Sequence, residues 1–239
     1  MGKQALKDNN SGSGNTAVGT ETMKDNTSGG ENVAMGKLAM ENTNSSSNTA
    51  IGYMAGRSMT GNSNVVIGHE VAKGSFTGAD NVIIGRRAGE DATSANYNTI
   101  VGNHAGGNFN SGYRNTCVGW YAGGNGLSNG YNVAIGMESA FGATNSTNEI
   151  VIGTSATGKG SNTGFISPNG NGVYQGNNST TWSTTSDRRI KKNIEDNTTG
   201  LEALNQIRVR NFEYRTEDEI VDFDNPKAAV VEREGLQLG

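Results

Sequence analysis

The sequence predicts an all-β fold, a parallel β-solenoid (β-roll) of about nine coils, each about 16–17 residues long. Three observations predict it. A five-residue word ending in Gly recurs nine times. Its glycines follow one another at spacings of 17, 16, 16, 17, 17, 17, 17 and 17, and the chain is rich in Gly (36 of 239) and Asn (32). So short a period leaves no room for two helices per repeat and fits one coil per repeat. Gly and Asn are poor in helix interiors, which works against a helical bundle. Composition alone would allow disorder, but the periodicity decides against it.

The first eight words begin with Asn: Asn15-Thr-Ala-Val-Gly19, Asn32-Val-Ala-Met-Gly36, Asn48-Thr-Ala-Ile-Gly52, Asn64-Val-Val-Ile-Gly68, Asn81-Val-Ile-Ile-Gly85, Asn98-Thr-Ile-Val-Gly102, Asn115-Thr-Cys-Val-Gly119 and Asn132-Val-Ala-Ile-Gly136. The ninth, Glu149-Ile-Val-Ile-Gly153, changes only the Asn, and Gly2 lies one period before Gly19. Each word is short, β-branched and bounded by turn formers, so it reads as a strand with a turn at either end. Its Gly is expected at positive φ or where backbones crowd, and its Asn to bond along the stack. On one strand face the residue before Gly is always a large aliphatic, and the residue two earlier is Thr, Val or Ile. The intervening column, Ala17, Ala34, Ala50, Val66, Ile83, Ile100, Cys117, Ala134 and Val151, points to the other face and is apolar too. A strand apolar on both faces is buried on both. One coil has a single interior, so the second face needs another surface. Self-association along the rod is expected, with the small Ala column near the axis.

The same residues exclude several classes. Gly does not recur every third position and there are 2 Pro, so collagen is out. No apolar run reaches the length that spans a bilayer, about 20 residues, which argues against membrane insertion. Nor does the start of the chain hold a signal-peptide core. The single Cys117 allows no internal disulfide. A net charge of −4 gives no nucleic-acid footprint. His69, His104 and Cys117 make no metal site, no phosphate or dinucleotide fingerprint is present, and no glycosidase carboxylate pair stands out. No cofactor is expected.

Charge divides the chain near residue 186. Residues 187–239 hold 9 Lys+Arg, 12 Asp+Glu and 3 Gly, against 21 charges and 33 Gly before them. Residues 1–156 are read as the repeat domain. Residues 157–186 lose the period and read as a linker or an interchain-wrapped segment, in which Tyr174 and Trp182 need a covering surface. Residues 187–239 read as a small α+β domain start. There Thr199-Gly-Leu-Glu202 makes a capping box into a short helix over Leu201–Ile207, and Val209–Tyr214 alternates like a strand.

Two resemblances follow. The repeated word resembles the head repeat of trimeric autotransporter adhesins, over roughly residues 2–156. That family's heads are parallel β-rolls packed three about one axis, which implies a homotrimer. The stretch Ser186-Asp-Arg-Arg-Ile-Lys-Lys-Asn-Ile194 resembles the opening of the endosialidase-type intramolecular chaperone of phage tail spikes and fibres, through Ser186, Asp187, Arg189, Lys191, Asn193 and Ile194. In that family the domain assists trimerisation and then cuts itself off. The resemblance implies Ser186 as nucleophile, Lys191 as its base and Ser186–Asp187 as the scissile bond. The family domain extends further than the residues up to Gly239, which predicts a truncated or degenerate copy.

A lysine can activate a serine when burial depresses its pKa; read without the resemblance, Ser186 caps a helix and the surrounding Lys and Arg are a solvated face. Trp120, Tyr121, Tyr113, Phe109 and Tyr97 cluster over two coils and could stack on sugar rings, or else cover the core at bulged corners. Arg86 and Arg87 could meet anionic glycan. The two resemblances imply a phage tail fibre or tailspike in the virion tail, a homotrimer joined to other tail proteins. It would attach to a bacterial surface glycan or outer-membrane receptor, with at most autoproteolytic activity. The rivals are an autotransporter head on a bacterial surface and a capsule-depolymerase tailspike.

Overall fold

A computed structural model of the chain describes residues 2–126, 128–169, 171–176 and 179–184, together with 211–212 and 237–238. The chain divides into two compact units, Met1–Ser186 and Asp187–Gly239. The first unit is a parallel β-solenoid, and no helix occurs among the described residues.

Each five-residue word forms one short strand. They are β1 (Thr16–Val18), β2 (Val33–Met35), β3 (Thr49–Ile51), β4 (Val65–Ile67), β5 (Val82–Ile84), β6 (Thr99–Val101), β7 (Thr116–Val118), β8 (Val133–Ile135) and β9 (Ile150–Thr154). They pair in parallel in chain order, with equivalent residues in register: Val82, Ile83 and Ile84 stand opposite Thr99, Ile100 and Val101. β10 (Gly164–Asn169) adds a tenth parallel strand, with Phe165 in register with Val151. β11 (Asn171–Gln175) and β12 (Ser183–Thr184) then close the sheet in antiparallel pairing. The segment read as linker therefore contributes three strands, because Phe165 is buried and continues the interior column. In the second unit β13 (Asn211–Phe212) pairs antiparallel with β14 (Gln237–Leu238). The Leu201–Ile207 helix expected from the capping box lies outside the described residues.

The words end where they do because of their glycines. Gly19 has φ +138°, and a Cβ there would lie 2.5 Å from the carbonyl oxygen of Gly36 in the next coil. Every strand-ending Gly from Gly19 to Gly153 repeats this, with φ between +124° and +144°. Both expected reasons for Gly, left-handed backbone and crowding, apply at once. The corners are built as columns too. Two places after each Gly a non-Gly residue sits at φ near +55°, as at Glu70, Arg87, His104 and Tyr121, and the residue before each Asn does the same, as at Asp80, Tyr97 and Arg114. Coil-to-coil backbone bonds run through these corners: Arg87 N–H donates to the His69 carbonyl and Tyr97 N–H to the Ala79 carbonyl.

The asparagines form a buried ladder. Asn98 N–H donates to Asn81 Oδ1 at 2.9 Å, Asn115 N–H to Asn98 Oδ1 at 2.9 Å, and the pattern runs from Asn15 up to Glu149 N–H on Asn132 Oδ1. Each Nδ2 from Asn32 onward also donates across the coil, Asn81 to the Ala95 carbonyl and Asn98 to that of Gly112. Glu149, fully buried, ends the ladder: its carboxylate accepts N–H from Gly142 and Gly160.

The two strand faces are the reverse of the expectation. The middle column, from Ala17 through Ile83, Ile100 and Cys117 to Val151, is the interior of the coil itself and is buried throughout. It packs against Met23, Met40, Met59, Phe76, Phe109 and Phe141 from the far wall. Side-chain sizes compensate across this narrow interior. Met23 and Met40 occupy the fourth position after Gly in the coils whose strands carry Ala17 and Ala34. Gly89 and Gly106 occupy it where the strand supplies Ile83 and Ile100. The middle column, small in the first three coils, fills this interior together with the far wall. The flanking residues face outward.

Candidate functional site

Two outward surfaces follow from this register. The first is the strand face. Val18, Val33, Met35, Val118, Ile135 and Ile150 are each more than a third exposed, and Ile51, Val65, Ile67, Val82, Ile84 and Val101 are half-buried. These side chains stack one above another on every coil, giving a continuous apolar stripe with Thr interspersed. A stripe of that length on one chain marks an interaction surface.

The second surface is the corner track two residues beyond each Gly, together with its neighbours. In register, one coil apart, stand Glu70, Arg87, His104, Tyr121 and Glu138. Arg87 Nε lies 3.1 Å from Glu70 Oε2 and 3.9 Å from Glu90. Lys73 Nζ bridges the same two carboxylates at 3.0 Å each, and His104 Nδ1 lies 4.0 Å from Glu90. The hydrogen bond from Lys73, with the nearby cations, holds the Glu70 carboxyl below its usual range. Its bonds to Glu70 and Glu90 raise the Lys73 ammonium. Farther along, the His104 ring stacks on Tyr121 at 5.0 Å and 5°. Trp120 meets Tyr121 edge-on at 4.7 Å.

The residues expected to contact a receptor divide three ways. Trp120, Tyr121 and Tyr97 are exposed and Tyr113 borders on exposure. Phe109 is a correction: it is wholly buried, edge-on to Phe141 at 6.3 Å, and is part of the core. It shares a far-wall column with Met59, Phe76 and Ala92, one from each successive coil. Arg87 is engaged by Glu70 and Glu90, whereas Arg86 makes a 3.5 Å contact with His104. On the other corner, Arg114 lies 5.3 Å from the rings of both Tyr97 and Tyr131, and its Nη1 donates to the Tyr131 hydroxyl at 2.7 Å. Sequence reasoning passed over Arg114, Tyr131 and the Glu70–Lys73–Glu90 group, and weighed His104 only as a metal ligand. Their spacing by whole coils was the available signal, because register turns that spacing into contact.

Cys117 is buried within the core, and burial pushes its thiol far up, so it is held as a neutral apolar group. No group of His, Cys, Asp and Glu among the described residues is placed to hold a metal ion. Among those residues no helix is long and apolar enough to cross a membrane. Ser186, Asp187 and Lys191 lie outside the described residues.

Residues 186–230 match the model of a known family, Peptidase_S74, the chaperone of endosialidase. The chain joins a β-solenoid to a segment that matches the endosialidase-chaperone model. The match opens at Ser186, the residue just before the charge-rich part of the sequence. No curated protein and no solved structure matches the chain. A solenoid followed by this chaperone segment points to a phage tail fibre-like protein, and the chaperone family implies assembly into a trimer.

Proposed function

We propose that the chain is a subunit of a phage tail fibre or tailspike, resident in the virion tail and attaching the particle to a bacterial surface receptor. Three copies pack through the outward strand stripe, the corner tracks face the host surface, and other tail proteins hold the rod to the particle. The observation that carries this reading is the endosialidase-chaperone match appended to a solenoid with one apolar face uncovered. A chaperone that brings three chains together is needed where each chain has a surface that only its sisters bury.

In this reading the chaperone segment releases itself after assembly by hydrolysis of the Ser186–Asp187 bond. Ser186 Oγ attacks the scissile carbonyl as Lys191 takes its proton and passes it to the Asp187 amine, which leaves as the C–N bond breaks; water then hydrolyses the ester. A Ser–Lys pair supplies the activation that an isolated serine lacks near neutral pH. Denaturing gels of the expressed chain test it. The expected result is a band ending at residue 186, and Ser186→Ala and Lys191→Ala give a full-length band while keeping the oligomeric mass. Full-length parent chain at all times would refute the cleavage step.

A further inference from the structure

The corner formed by the seventh and eighth coils holds a cleft of about 440 Å³, lined by Trp120, Tyr121, Gly124, Asn125, Glu138 and Ala140. Its size lies within the range of small-ligand sites. Its walls stand in place without a ligand. Trp120 and Tyr121, each 43% exposed, stand at 78° to one another and form an L-shaped aromatic corner. The Tyr121 ring stacks on His104. The Asn125 amide is tied on both sides, donating to the Phe141 carbonyl at 2.8 Å and accepting from Phe141 N–H at 3.1 Å. Glu138 is oriented by Ser155, whose hydroxyl donates to Oε2 at 2.9 Å, leaving Oε1 available.

We propose that this cleft is a carbohydrate subsite that seats one neutral pyranose ring, stacked on Trp120 and hydrogen-bonded through its hydroxyls to Glu138. A pyranose has a face of C–H bonds and an edge of hydroxyls. The negative face of an indole attracts the first, and a carboxylate accepts from the second in charge-assisted bonds. The charge chooses among sugars. The lining contains one carboxylate and no Lys or Arg, so it repels an anionic sugar. The cations expected to meet anionic glycan lie elsewhere on the rod, and Arg87 is already paired with Glu70 and Glu90. The subsite rests on the attachment reading above and narrows it to a neutral sugar at one corner.

The test is saturation-transfer NMR on the assembled full chain. The neutral probes are methyl β-galactoside, methyl α-glucoside and N-acetylglucosamine; methyl sialoside is the anionic probe and choline the cationic one. The expected result is saturable transfer to at least one neutral probe and none to methyl sialoside or choline. Binding falls at least tenfold in Trp120→Ala and at least threefold in Glu138→Gln, and is kept in Trp120→Phe, all at unchanged oligomeric mass. Transfer to no neutral probe, equal binding by Trp120→Ala, or loss of oligomeric mass in Trp120→Ala overturns the proposal, the last by making the patch an interchain contact. Adsorption of the same chain to a panel of bacterial strains is scored separately. Sugar binding without adsorption refutes attachment and leaves the subsite. Adsorption undiminished in Trp120→Ala without sugar binding refutes the subsite and leaves attachment.

Discussion

Asn81 shows how one residue type can be required at every level of a rod. Its Oδ1 accepts from Asn98 N–H and its Nδ2 donates to the Ala95 carbonyl, both in the buried interior. Asn81→Ala leaves those two backbone groups without a partner, and each such loss costs about 1–3 kcal/mol. The expected outcome is a loss of about 2–6 kcal/mol in chemical denaturation. Gly85 is stricter still, since φ is +138° and a Cβ would strike the Gly102 carbonyl. Gly85→Ala combines backbone strain with overpacking, so a loss of about 3 kcal/mol or more is expected in the same assay. Both residues were legible in the sequence because every coil asks the same task of them. Phe109 was not: its depth depends on Phe141 and on the far-wall column, which single-site reasoning about exposed corners does not reach.

At the scale of the strand, the period-two pattern identified two apolar faces but did not say which of them is inside. That decision is made by residues on the opposite wall, such as Met23 and Met40, which share the buried interior with the small Ala17 and Ala34 of their own coils. The corner columns carry their own energetics. Glu70 is paired with Lys73 and Arg87 in the fold, so its carboxyl is depressed relative to the unfolded chain. A depressed carboxyl contributes stability above its unfolded pKa and loses it as pH falls through the folded value. Melting temperature is therefore expected to drop on acidification below the ordinary carboxylate range, and Glu70→Gln to flatten that part of the profile. Lys73 gives the opposite limb: its raised pKa contributes stability below the unfolded value, lost as pH rises through the folded one. A profile identical in parent and Glu70→Gln would remove the network from the account.

At the scale of the whole molecule, the solenoid solves its interior and leaves its outer strand face unsolved. The sequence announced that an uncovered apolar face would exist, from the greasy residues on both sides of each word. It also announced the chaperone segment, from the Ser186–Ile194 stretch, and the family match over residues 186–230 agrees with that reading. Which face would be left over required the three-dimensional register. In the proposed trimer, burial of a continuous stripe over nine coils by two sister chains provides an area-proportional driving force. Light scattering on the purified chain and on Ile84→Asp, whose side chain lies in the stripe and outside the core, measures this most directly. The parent is predicted to show three chain masses per particle, and Ile84→Asp to lose that mass while keeping its β-sheet circular dichroism. A folded parent that runs as one chain mass would contradict the account.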